Sequence, residues 1–135
     1  MKNQNLYNIL VATHFLTIKT QNYHWNVVGS DFYQLHKLFE EHYENLSSSI
    51  DEIAERIRAL GELVLPFDDS KSPFAKTNPK LNASDMLKDL MTSHKQLADL
   101  IEKSINGKDI VTDDILTQRK NFHDKAAWFL ASILQ

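Results

Sequence analysis

Four side chains, placed before and after a short turn, have the chemistry of iron ligands. His24 and His36 flank the turn, and Asp51 and Glu55 lie one helical turn apart further along the chain. Imidazoles and carboxylates are ligands that suit ferrous iron. The sequence therefore raises the question of whether all four side chains bind one metal ion.

The predicted length of the second helix limits how these side chains could meet. If the chain from Asp31 to about Leu60 is one helix, His36 and Asp51 are 15 residues apart. That separation is roughly 22 Å at the rise per residue of an α-helix, too far for two ligands of one ion. A second copy running antiparallel could bring its Asp51 and Glu55 to the histidines of the first. We therefore expect a two-fold interface with the site buried in it.

Size and composition limit the classes of protein to which the chain can belong. Its 135 residues are 42% hydrophobic and 24% charged, which predicts one globular domain over residues 1–135. No apolar run is long enough to span a membrane and no signal peptide pattern opens the chain, so we expect a cytoplasmic protein with no membrane partner. The absence of Cys excludes disulfides, thiolate zinc sites and Cys nucleophiles.

The charge pattern argues against a nucleic-acid binder. Lys and Arg number 15 against 18 Asp and Glu, a net charge of −3, and no block of like charge occurs. A basic patch is the usual electrostatic footprint of nucleic-acid binding. DNA binding is therefore doubtful, and neither end of the sequence carries a basic extension that would favour it.

Glycines and prolines divide the sequence into four predicted helices, so the fold class is all-α. Apolar residues recur at helical spacing from about Asn3 to Val28, from Asp31 to about Leu60, after Asn82 and after Thr112. About 20 residues that contain all three prolines connect the second and third helices. A connection of that length can run back along a bundle and leave the helices that it joins parallel. This is the ferritin-like four-helix bundle with a long crossover between helices two and three.

Apolar stripes predict which faces of the helices are buried, and Asp31 and Asn82 are predicted to cap the second and third helices. The stripe of the second helix comprises Phe32, Leu35, Phe39, Tyr43, Leu46, Ile50, Ile53, Ile57 and Leu60, and that of the fourth comprises Ile115, Phe122, Ala126, Phe129 and Ile133. The remaining histidines have no convincing partners in the sequence and are interpreted as surface or packing residues. They are His14, His42, His94 and His123.

The sequence lacks the usual signature of an iron centre inside one bundle. Ferritin-like di-iron proteins commonly use Glu-x-x-His pairs, and none of the six histidines has Glu three residues before it. This absence favours a metal site between subunits over one inside a single bundle. The alternative is that each of these charged residues is solvated on a helix surface, with Glu55 in an ordinary pair with Arg56 or Arg58.

The residues around the candidate ligands resemble those of one family. The run HWNVVG from His24, the pair LH ending at His36, the run FEE from Phe39 and the run IDEIAER from Ile50 resemble the Dps family. These are mini-ferritins named as DNA-binding proteins from starved cells. The resemblance extends over nearly the whole chain and is densest from Lys19 to Gly61.

The resemblance implies a homo-oligomer, a dodecameric hollow shell built from two-fold dimers. Such a shell oxidises Fe(II) with hydrogen peroxide or oxygen and stores ferric iron, which protects against oxidative stress. The ferroxidase ligands would be His24 and His36 of one subunit with Asp51 and Glu55 of its two-fold mate. Glu40 stands where many members carry Asp as a ligand to, or close to, a second iron, so it completes the candidate metal set.

Other readings and roles remain open at the level of sequence. The chain could be a nucleoid-compacting protein with incidental iron binding, or a shell or cell-surface interaction protein that has lost turnover. Trp25 could line the site, as in the family, or anchor an interface. Three acids, Asp109, Asp113 and Asp114, could line an iron pore at a three-fold axis or cap the fourth helix.

Overall fold

The computed structural model describes residues 2–72 and 74–135, and this part of the chain forms four α-helices without a strand. The prediction of an all-α fold is confirmed. A 3₁₀ helix, Asp69–Lys71, lies in the connection between the second and third helices. The α-helices are α1 (Gln4–Asn26), α2 (Phe32–Ala59), α3 (Ala83–Ser104) and α4 (Ile110–Ile133).

Side-chain contacts establish the directions of the helices. Tyr23, near the end of α1, donates a hydrogen bond of 2.5 Å to Asp89, near the start of α3, so α1 and α3 are antiparallel. The buried Lys19 pairs with the same carboxylate at 3.1 Å. Because α2 folds back on α1 after a short turn, α2 is parallel to α3. The crossover therefore connects parallel helices, as the sequence predicted.

The fourth helix begins earlier than predicted. It starts at Ile110 and not after Thr112, because the carboxylate of Asp109 accepts hydrogen bonds from the backbone N–H groups of Val111 and Thr112. Asp109 also accepts a hydrogen bond of 2.7 Å from Arg56 at the end of α2. This hydrogen bond with the guanidinium lowers the pKa of Asp109. The start of α4 is thus joined to the end of α2.

Of the two predicted N-caps, one is confirmed. The side chain of Asn82 accepts a hydrogen bond of 2.8 Å from the backbone N–H of Asp85 at the start of α3. Asp31 occupies the N-cap position of α2, but its side chain makes no capping hydrogen bond. Its ψ of 19° departs from the extended backbone of capping residues, so the predicted side-chain cap was wrong.

The buried faces agree with the predicted stripes only in part. On α2, Leu35, Phe39, Leu46, Ile53 and Ile57 are buried, whereas Phe32 is exposed. On α4, Phe129 and Ile133 are exposed, and two polar residues, Arg119 and His123, lie in the core between Leu116 and Leu130. The apolar pattern misplaced this face because polar side chains occupy part of it. No helix in the described ranges is long and apolar enough to cross a membrane.

Candidate metal site

His24 and His36 hold each other through reciprocal hydrogen bonds to the backbone. Nδ1 of His24 lies 2.7 Å from the carbonyl oxygen of His36, and Nδ1 of His36 lies 2.8 Å from the carbonyl oxygen of His24. Because a carbonyl oxygen only accepts, both Nδ1 atoms must carry the proton. In the neutral rings each Nε2 atom therefore has a free lone pair. A donated Nδ1–H with an unprotonated Nε2 is the usual state of a metal-binding histidine.

Stacked rings fix the orientation of these two imidazoles. The centroids of His24 and His36 are 3.8 Å apart with planes 13° from parallel. The ring of Phe32 stacks on His36 with centroids 5.0 Å apart, and the ring of Tyr43 lies at 68° to that of His24 with centroids 5.2 Å apart. Sequence reasoning placed Phe32 and Tyr43 on the apolar stripe and missed this role. The signal was the four-residue spacing of Phe32 and His36, which puts the two rings on one face of a helix.

The turn after α1 brings the two histidines together. Val27 ends α1 with extended backbone and donates its N–H to the carbonyl oxygen of Tyr23 at 2.9 Å. Gly29 then adopts a φ of 122°, which an L side chain would strain, and accepts a hydrogen bond from the N–H of Phe32. The first turn of α2 therefore lies beside the last turn of α1.

The two carboxylates of the predicted ligand set lie elsewhere on the protomer. Asp51 and Glu55 are exposed on α2, which runs unbroken from Phe32 to Ala59. The helical rise keeps Asp51 roughly 22 Å from His36 along the axis. Within one protomer, the described residues contain no group of three His, Asp or Glu side chains arranged to hold a metal ion. That the four side chains meet across a two-fold axis stays a prediction.

Glu40 lies one helical turn after His36 and is partly buried. Its carboxylate is 3.7 Å from the ammonium of Lys37, a long ion pair that a metal ion could replace. Trp25 is 62% exposed on the protomer, next to His24.

The three acids near the start of α4 all have local partners. Asp109 caps the helix, Asp113 accepts a hydrogen bond of 2.8 Å from the backbone N–H of Gly107, and Asp114 accepts one of 3.1 Å from Gln118. These contacts support the capping interpretation for Asp109. The role of the acids in an iron pore stays a prediction.

Comparison with known proteins identifies the family. Residues 3–135 match the Ferritin family, described as a ferritin-like domain. DNA protection during starvation protein 2 of Bacillus anthracis is 30% identical over 131 residues, covering 88% of this chain and 86% of that protein. The crystal structure of Dps from Staphylococcus aureus superposes with a TM-score of 0.93 at 27% identity, over 98% of this chain and 94% of that one. The chain belongs to the Dps family.

Dps proteins are ferritin-like proteins of iron storage and DNA protection, and the solved Dps relatives imply assembly into an oligomeric shell. An uncharacterized low temperature-induced protein of Nostoc sp. is also similar, at 36% identity over 137 residues, 93% of this chain and 75% of that protein.

The ring stack of this Dps chain predicts that Phe32 positions a metal ligand. We expect Phe32→Leu to weaken the binding of Co²⁺, a spectroscopic probe for iron, by roughly three- to ten-fold, because His36 loses the ring that holds its orientation. Titration of the assembled protein by the visible absorption of Co²⁺ measures this effect. Tyr33→Leu, at the exposed neighbouring aromatic residue, is the matched control. Equal affinities for both variants and the unmodified protein would contradict the positioning role.

Proposed function

We propose that this Dps-family chain is a ferroxidase whose site is shared between two subunits of a shell. One observation carries the proposal: the hydrogen bonds between His24 and His36 fix both rings with Nε2 free to bind a metal. Solvated surface histidines would not need these hydrogen bonds, because water can satisfy both ring nitrogens. The oxidised iron would be stored inside a dodecameric shell in the cytoplasm, which protects the cell against oxidative stress.

A two-fold partner would supply the missing carboxylates. Asp51 and Glu55 are one helical turn apart on α2 and both are exposed, so both can face a neighbouring subunit. A two-fold contact is reciprocal, because the same surface of each subunit meets the other. The acids of each subunit would then reach the histidines of its partner, and a dimer would contain two equivalent sites. Glu40, beside His36, would help to hold a second iron.

Iron is the substrate of this reaction. Nitrogen and carboxylate ligands hold Fe(II) and stabilise the additional positive charge of the ferric product. Two Fe(II) ions give up one electron each, and one hydrogen peroxide molecule takes both electrons and two protons to form two water molecules. The paired transfer avoids release of hydroxyl radical. Oxygen would be the alternative oxidant.

The proposal predicts that each half of the ligand set is necessary. Fe(II) is added anaerobically to the purified shell, followed by peroxide, and ferric absorbance is followed in time. We expect His24→Ala and Asp51→Ala each to lower the initial rate by roughly 10- to 100-fold, because each removes a ligand. Sizing of the same samples confirms that the variants still assemble.

Two matched controls separate loss of a ligand from a general effect of substitution. His14→Gln removes a histidine that packs against Phe15 and Phe67 at a different place on α1. Glu44→Gln removes an exposed carboxylate of α2 outside the proposed set. Both controls are expected to keep the normal rate. Unchanged rates in His24→Ala and Asp51→Ala shells would refute the proposal.

The names of the relatives make DNA protection the second candidate function. The sequence has a net charge of −3 and no run of basic residues, which gives little attraction to phosphates. We expect no retention of plasmid in a mobility-shift assay at low salt and neutral pH. Plasmid retained at that pH, and released by added salt, would favour nucleoid binding.

A further inference from the structure

Three histidines that the proposed iron site does not use lie together inside the bundle. His42 belongs to α2, His94 to α3 and His123 to α4, and all three are buried. His94 and His123 are completely inaccessible, with an exposed fraction of 0%. Buried ionisable side chains are costly unless they are neutral or paired. The cluster therefore needs a physical explanation.

His94 and His123 share one hydrogen bond between their rings. The two Nδ1 atoms are 2.8 Å apart, and the ring centroids are 5.0 Å apart. One Nδ1 must carry a proton and the other must present a lone pair, so at least one ring is neutral, and burial disfavours a charge on the other. The Nε2 atoms of both rings are buried and have no hydrogen-bond partner in the part of the chain that the structure describes.

The surroundings of this pair are unfavourable for positive charge. The edge of the His42 ring meets His94 with centroids 5.6 Å apart, and the buried guanidinium of Arg119 lies over Phe122, which also contacts both rings of the pair. Arg119 donates one hydrogen bond of 2.8 Å to Asn45. Its Nε and Nη2 atoms are buried without a partner among the described residues.

The charges that act on the pair come from α2 and α4. His42 of α2 and Arg119 of α4 oppose protonation of both rings, and the nearby Glu52 of α2 acts on Arg119. Within the described ranges, α1 contributes no titratable side chain that shifts the pKa of either ring. The cationic Arg119 also disfavours a metal ion in this cluster.

We propose that His94 and His123 form an acid-sensitive lock in the bundle core, closed while the pair shares a single proton and opened by proton uptake. A first added proton places a charge on a buried ring that has no partner for it. A second added proton opposes two N–H groups across the shared bond and breaks the hydrogen bond. Since the pair joins α3 to α4, its loss loosens the half of the bundle that these helices form.

The sign of the pH effect follows from burial. Burial lowers the pKa of His94 to about 3, and it also lowers the pKa of His123, from an ordinary value of 6.5. Below pH 6.5 the unfolded chain therefore binds protons that the folded chain excludes. For the two rings, the unfolding equilibrium constant rises by roughly 100-fold for each pH unit through that window. Stability from the neutral pair is present above the ordinary value and declines below it.

Unfolding of the assembled protein by guanidinium between pH 7 and about pH 5.5, above most of the range where carboxylates titrate, tests the lock. The double substitution His94→Asn/His123→Asn keeps a donor and an acceptor near the Nδ1 positions and removes the titration. We expect this variant to lose most of the pair's contribution of roughly 100-fold per pH unit, while the matched control His14→Asn retains it. Burial also lowers the pKa of His42, to about 4, and this residue contributes to the pH dependence of both variants. An unchanged pH dependence in the double variant would overturn the proposal.

A second measurement tests the lock without any substitution. Solid-state NMR of the sedimented shell, labelled with ¹⁵N-histidine, distinguishes neutral from protonated rings by their nitrogen shifts. In helical protein at about pH 5, the lock requires a neutral pair with one protonated Nδ1 and one protonated Nε2. Protonation of both rings in intact shells at that pH would overturn the lock, even if the double variant did not fold.

Discussion

The rigid length of α2 determines which of the candidate ligands can meet within one protomer. This helix is 28 residues long and unbroken, so it keeps His36 roughly 22 Å from Asp51. The same helix carries His36 near its start and the exposed acids Asp51 and Glu55 beyond its middle. The site that we propose for these four side chains therefore needs a partner subunit to complete it. The length of one element thus connects the ligand chemistry to the assembly of the protein.

The histidines of this chain show how environment determines the use of one side chain. His24 and His36 donate Nδ1–H to backbone carbonyl groups, which leaves Nε2 available for a metal. His94 and His123 use their Nδ1 atoms on each other in a dry core, and Arg119 lies close by. We propose that the first pair binds a cation and that the second excludes positive charge.

Some of this arrangement was predictable from the sequence because the signals are local. The Pro-rich crossover and the capping Asn82 follow from turn and helix chemistry, and the distance between the histidines and the acids follows from helix geometry. The stacking of Phe32 on His36 and the pairing of His94 with His123 were not predicted, because tertiary packing decides them. The buried face of α4 was misplaced because polar side chains occupy core positions there.

Complementation between two inactive shells tests the shared site most directly. One variant carries His24→Ala and His36→Ala, and the other carries Asp51→Ala and Glu55→Ala. In a mixed dimer, the intact histidines of one subunit meet the intact acids of the other at one of the two sites. Random co-assembly of equal amounts should therefore restore ferroxidation at about a quarter of the sites. Verified mixed shells with no activity would contradict a site shared between subunits.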